Sequence, residues 1–107
     1  MFAITYGKGF HIALANGWTI SVQFGPGNYC EHYGSSSMRE FCERPAPRRH
    51  ESRDAEIAIW KGNGEMIDLN GDTVAARVSP DKVAEILAAM QTLPDEQVIP
   101  AISRILE

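Results

Sequence analysis

Residues 10–24, Phe10-His-Ile-Ala-Leu-Ala-Asn-Gly-Trp-Thr-Ile-Ser-Val-Gln-Phe24, decide the fold. Two apolar stripes, Phe10, Ile12, Leu14 and Trp18, Ile20, Val22, Phe24, alternate with small or polar residues, the pattern of strands with one buried face. Asn16-Gly17 invites a two-residue type I′ hairpin. Such a loop would set Leu14 opposite Thr19 and Ile12 opposite Ser21, mixing the faces. A three-residue loop, Ala15-Asn16-Gly17 with Gly17 left-handed, instead pairs Leu14 with Trp18, Ile12 with Ile20 and Phe10 with Val22. One face is then wholly apolar, and a one-residue slip is strongly disfavoured. The bulged turn is expected, with Thr19, Ser21 and Gln23 pointing away from the core.

Upstream, Phe2, Ile4 and Tyr6 alternate and Gly7-Lys8-Gly9 turns the chain, completing a first three-stranded meander over 1–24. Downstream, Ala55-Glu-Ile-Ala-Ile-Trp60 reads as a strand and Lys61-Gly-Asn-Gly64 as a turn. Met66 to Leu69 then reads as a short strand, Asn70-Gly71-Asp72 as a turn and Thr73 to Val78 as the last strand, a second meander. Ser79-Pro80-Asp81-Lys82 signals a helix start, with Ser as N-cap and Pro at the first helical position. Val83, Ile86, Leu87, Met90 and Leu93 share one helical face, which must dock on the sheet, and Pro94 stops the helix. Val98, Ile99, Ile102, Ile105 and Leu106 make a second stripe, in a helix expected to begin near Pro100. Each large aliphatic side chain these stripes bury contributes about 1.5–3 kcal/mol. The expectation is one α+β domain over 1–107. It has an antiparallel sheet of about six strands in two three-stranded meanders (1–24 and 55–78), a long loop over 25–54, and two C-terminal helices within 79–107.

With 107 residues the chain has room for one core and little surplus stability. Its net charge of −4 argues against a generic binder of duplex nucleic acid or anionic membrane, whose affinity rests on neutralising phosphates. No apolar run approaches the roughly 20 residues that cross a bilayer. The start, Met1-Phe-Ala-Ile-Thr-Tyr-Gly, lacks the basic and apolar regions of a secretory signal, so a cytoplasmic protein is expected. Cys30 and Cys42 are then expected as reduced thiols.

The 25–54 span loses all periodicity. It holds Gly25-Pro26-Gly27, Ser35-Ser36-Ser37 and Pro45-Ala46-Pro47-Arg48-Arg49-His50, with a short helix feasible near Ser37 to Cys42. It also carries five of the ten basic residues, Arg39, Arg44, Arg48, Arg49 and Arg53. Cys30, His32, Cys42 and His50 are zinc-ligand types, but their spacings match no common structural site. No motif supplies the orienting acid or oxyanion hole that a cysteine nucleophile needs. Asp68, Asn70 and Asp72 imitate the start of a calcium loop, yet its sixth and twelfth positions are Thr73 and Ser79, so turn chemistry explains them better. Neither metal nor cofactor is expected.

Binding chemistry is more plausible than catalysis. In Gly25-Pro-Gly27-Asn28-Tyr29, following Phe24, the glycines let backbone N–H groups approach an anion, Asn28 adds an amide and Tyr29 a stacking face. The plain alternative is a strand-ending turn. Arg77, in an otherwise small and apolar strand, suits a phosphate clamp or a solvated sheet position, and Arg48 and Arg49 suit a flap over a phosphorylated ligand. Trp60, out of phase with Ile57 and Ile59, belongs on the second face, at an interface, or in the core. Ala13, Ala15, Ala58, Ala75, Thr19 and Ser21 would make that face flat enough for protomer packing.

The run Asn16 to Cys30, then Ala55 to Trp60 and the Ser79-Pro-Asp-Lys-Val helix start, resembles small phage and prophage proteins, and the element order is similar to the first class of phage anti-Thoeris sponges. That resemblance implies a non-enzymatic protein in the infected bacterial cytoplasm that sequesters a cyclic ADP-ribose isomer or a cyclic oligonucleotide between protomers of a dimer or hexamer. The other reading is a phage protein-binding inhibitor, anti-CRISPR-like, or a structural protein. It would act through an exposed sheet edge or through residues 79–107, which carry five acids against two bases.

Overall fold

In the computed structural model, which describes residues 1–5, 8–25, 28, 30–31 and 51–107, Gly17 sits at φ +97°. Its N–H donates to Leu14 O (3.1 Å), and the Leu14 N–H donates to Trp18 O (2.8 Å). The three-residue loop has therefore formed, and with it the register Phe10↔Val22, Ile12↔Ile20. Five antiparallel strands lie side by side in chain order: β1 (Phe2–Ile4), β2 (Gly9–Ala13), β3 (Trp18–Gln23), β4 (Ala55–Lys61) and β5 (Ala75–Val78). Helices α1 (Pro80–Thr92) and α2 (Asp95–Ile105) follow. Among the described residues no helix is long and apolar enough to cross a membrane.

The core lies between one sheet face and the two helices. Ile20, Ile57 and Ile59 from the sheet meet Ile86 and Met90 of α1 and Val98 and Ile102 of α2, all without solvent exposure. Ser79 caps α1, its Oγ accepting from Lys82 N (3.3 Å). Two Asn-Gly turns hold the far ends of the helices. Asn16 Nδ2 donates to Met90 O (2.8 Å) and Asn70 Nδ2 to Ser103 O (3.1 Å), each reaching a carbonyl in a last turn that has no partner within its helix. A third tie joins α2 to the sheet. Trp18 Nε1 donates to Asp95 Oδ1 (3.1 Å), Lys61 Nζ pairs with Asp95 Oδ2, and the same ammonium lies 5.1 Å from the Trp18 ring centre.

Four expectations are corrected. Among the described residues the sheet has five strands, not about six in two meanders. Met66 to Leu69 does not form a strand of its own: Ile67 N–H donates to Ile59 O (2.9 Å), while β5 pairs with Ala55 and Ile57. The two pieces thus lie end to end along one edge of β4. They are joined by a tight turn in which Asn70 (φ +58°) and Gly71 (φ +106°) are both left-handed, as type I′ requires. The last strand is accordingly shorter than Thr73 to Val78. Ala75, placed on the second face by simple alternation, instead faces the core opposite Ile57, because β5 carries a bulge.

The second helix begins at Asp95, not near Pro100, which lies inside it. Pro100 is exposed and forfeits only its own N–H bond, toward Glu96 O on the exposed side, while the apolar stripe from Val98 onward holds the helix on the sheet. Finally, Thr19, Ser21 and Gln23 do face away from the core but are buried. The His11 ring of β2 and the Trp60 ring of β4 meet edge-on, 5.1 Å between centres, and so must lean over the small side chains of β3 between them.

Asp95 generates a pH signature. The Lys61 ammonium, then the Trp18 N–H, hold its carboxyl below the usual 3.8. A group whose folded pKa is depressed stabilises the fold above its unfolded pKa, and that contribution vanishes as pH falls through the folded value. Asp95→Asn should therefore melt below wild type at neutral pH, and the gap in Tm should close below about pH 4. Gly9→Ala tests packing at the β2–β3 margin, where an added Cβ would lie 2.3 Å from Val22 O and 2.7 Å from Gln23 Cδ. A loss of about 1–3 kcal/mol, read by urea unfolding, is expected.

Candidate functional site

The helices leave part of the sheet uncovered. Between the first turns of α1 and the β2–β3 end of the core face lies a groove of about 310 Å³. Phe10, Val22, Phe24, Val78, Val83 and Leu87 form most of its wall, and Ser52 and Asp54 its polar rim. It exists because α1 starts directly after β5 and runs away from this corner, so Phe10 and Phe24 remain only half-buried.

Local hydrogen bonds fix the rim. Glu31 N–H donates to Asp54 Oδ1, Arg53 N–H donates to Glu31 Oε2 (2.6 Å), and Arg53 Nε lies 3.5 Å from Glu31 Oε1. Ser52 Oγ donates to Asp54 O (2.6 Å). These bonds clasp Glu31 to Arg53 and Asp54, just ahead of β4.

The glycine elbow is occupied with its own geometry. Gly25 is buried at φ +92°, Asn28 N–H donates to Gly25 O (3.2 Å), and the Asn28 amide donates to Phe24 O (2.6 Å). Cys30, fully buried, directs its thiol at the same Gly25 O (3.4 Å). Asn28 therefore spends a donor on the turn instead of presenting it to a ligand.

Of the residues proposed for binding, Phe24 lines the groove and Gly25 adjoins it. Trp60 is remote from both: it pairs with Thr19, at the other end of β4 and on the opposite face from Phe24. Arg77 is exposed at φ +51°, and because Ala55 pairs with Val78 and Ile57 with Ala75, Ala76 and Arg77 together oppose Glu56 in a bulge. It neighbours the groove wall at Val78. Gly27, Tyr29, Arg48 and Arg49 lie outside the described residues, as do His32, Cys42, His50 and the segment Ser37 to Cys42. Among the described residues no three His, Cys, Asp or Glu side chains gather as metal ligands. Asp68 Oδ1 accepts from Gly71 N–H (2.8 Å) and Asp72 Oδ1 from Val74 N–H (3.3 Å), so both carboxylates serve turns.

Sequence reasoning missed His11 and the groove. His11 was readable, since it alternates with Phe10 and Ile12 onto the face that Trp60 shares. The groove was not, because it depends on where α1 crosses the sheet. No family model, curated protein or solved structure matches the chain.

Arg77 offers a direct measurement. A left-handed non-glycine residue costs about 1–2 kcal/mol, partly offset by the greater unfolded freedom of glycine. Arg77→Gly should leave stability unchanged or raise it by up to about 1 kcal/mol. A clear drop in Tm would show that the guanidinium anchors the bulge.

Proposed function

We propose that this domain is a non-enzymatic, cytoplasmic binding protein that works through protein–protein contacts, seating an apolar, basic-flanked segment of a partner in the groove beside α1. One observation carries the reading. The described wall of the groove is apolar, and its one ionisable group is the carboxylate of Asp54. Asp81 and Glu85 stand exposed on α1, the same helix that forms the wall, with Lys82 between them. Such a site favours aliphatic or aromatic anchors, with lysine or arginine beside them to meet Asp54.

A second reading is favoured by Arg77. Arg77 is exposed at a strained backbone position and directly precedes Val78 of the groove wall, so a guanidinium is carried one residue from the groove. In that reading the domain sequesters a cyclic ADP-ribose isomer or a cyclic oligonucleotide without turning it over.

Ala84→Trp separates the two. Ala84 borders the groove but is exposed on α1, so an indole there fills the space without disturbing the core. The wild-type chain should capture one bacterial protein in stoichiometric amount, the variant should lose it, and neither should gain Tm from cyclic nucleotides. A concentration-dependent rise in Tm with such a nucleotide, recovered intact and abolished by Arg77→Ala, would replace the first reading by the second.

A further inference from the structure

The two margins of the sheet are built differently. At the β5 margin the bulge at Ala76 and Arg77 breaks the ladder and places a charge on the rim. β1 has no such guard: Met1-Phe-Ala-Ile-Thr5 contains no charged side chain, no proline and no bulge, and it forms the opposite margin. Natural edge strands are ordinarily protected by such a device or by being very short, because a flat apolar edge pairs with another strand; β1, at three residues, has only its shortness.

The hydrogen bonds show which groups point outward. Met1 and Ala13 exchange bonds (2.8 Å each way), and Thr5 N–H donates to Gly9 O (3.0 Å). The odd-numbered residues of β1 thus face β2, and the N–H and C=O groups of Phe2 and Ile4 point away from it, where no described residue meets them. The side chains of these two residues share the core face, opposite Ile12 and Phe10, yet beyond the helices. Phe2 is 74% and Ile4 83% exposed.

From this we infer that β1 pairs antiparallel with β1 of a second copy, across a twofold axis through Ala3, to make one sheet running through both molecules. In that register Phe2 lies opposite the second copy's Ile4, and each such pair exchanges both of its outward hydrogen bonds. The four side chains then form one apolar strip, flanked on either side by Phe10 and Ile12. The edge carries no charged side chain, and its Met1 ammonium is bonded to Ala13 O; the twofold sets the two ammonium groups at opposite ends of the seam, so pairing with its own twin brings no like charges together. Met1, Phe2 and Ile4 expose on the order of 500 Å² per copy, so about 1,000 Å² is the most these side chains can bury in the pair, the size of a weak, reversible contact. A weak, concentration-dependent dimer is expected. This surface is separate from the proposed partner contact in the groove, and either can fail without the other.

Sedimentation analysis across the micromolar range tests the pairing. Wild type should show a monomer–dimer equilibrium, and Ile4→Lys, at a position already in solvent, should raise the dimer Kd at least tenfold with Tm of the dilute protein unchanged. Ala3→Cys on a Cys42→Ser background reads the register, because the twofold brings the two Ala3 Cβ atoms together in a non-hydrogen-bonded pair. Mild oxidation should convert it to a covalent dimer, while Cys42→Ser alone stays uncrosslinked. A wild-type monomer throughout the range overturns the inference. So does a dimer that is indifferent to Ile4→Lys, or one in which Ala3→Cys does not crosslink.

Discussion

The left-handed glycine at position 17 is the constraint on which the rest of the molecule depends. By adding one residue to the β2–β3 connection it lets Phe10, Ile12, Trp18, Ile20 and Val22 emerge on a single face. A two-residue loop would divide them between faces and leave the helices nothing continuous to cover. The same turn then reaches the helical layer, since Asn16 holds the last carbonyls of α1 through Met90 O. Trp18, the first residue after the turn, receives α2 through Asp95. Register, helix docking and the start of α2 are thus settled within three consecutive residues.

What could be read without coordinates was whatever a local rule decides. Alternation and the identity of Gly17 gave the β2–β3 register, and Ser79-Pro80 gave the start of α1. The errors lie where a longer-range choice competes with a local one. Pro100 was read as a helix start because proline is costly within a helix, but the stripe beginning at Val98 outweighs one lost bond on an exposed side. Met66 to Leu69 has the composition of a strand, yet the outer edge of β4 has room for two pieces in line and not for an additional strand beside them. Ala75 was misplaced because a bulge reverses the parity of alternation, and nothing in the composition of Ala-Ala-Arg-Val announces one. Of the candidate site, Phe24 was legible as an apolar residue at a strand end. The wall contributed by Val83 and Leu87 depends on the crossing of α1, which no sequence window contains.

The two faces of the sheet resolve their polarity in different ways. The core face is closed by helices except at the groove. Among the described residues the second face has no helix, and two rings do part of that work: His11 and Trp60, on strands flanking β3, meet above Thr19 and Ser21. The polar side chains beneath are satisfied locally, Gln23 Nε2 donating to Ser21 Oγ (3.1 Å) and Thr5 Oγ1 donating to Gln23 Oε1 (3.0 Å). A small domain with one helical layer thereby buries both sides of its central strand, and β3 is covered along its whole length.

The clasp of Glu31 with Arg53 and Asp54 has an evolutionary corollary. Glu31 is bonded to Arg53 and Asp54 across the intervening polypeptide, so this contact already meets part of the entropy of closing it. Lengthening it costs only in proportion to the logarithm of its size. Insertions between Glu31 and Arg53 are therefore expected to cost little in closure entropy, because the clasp already holds the two ends of that span together.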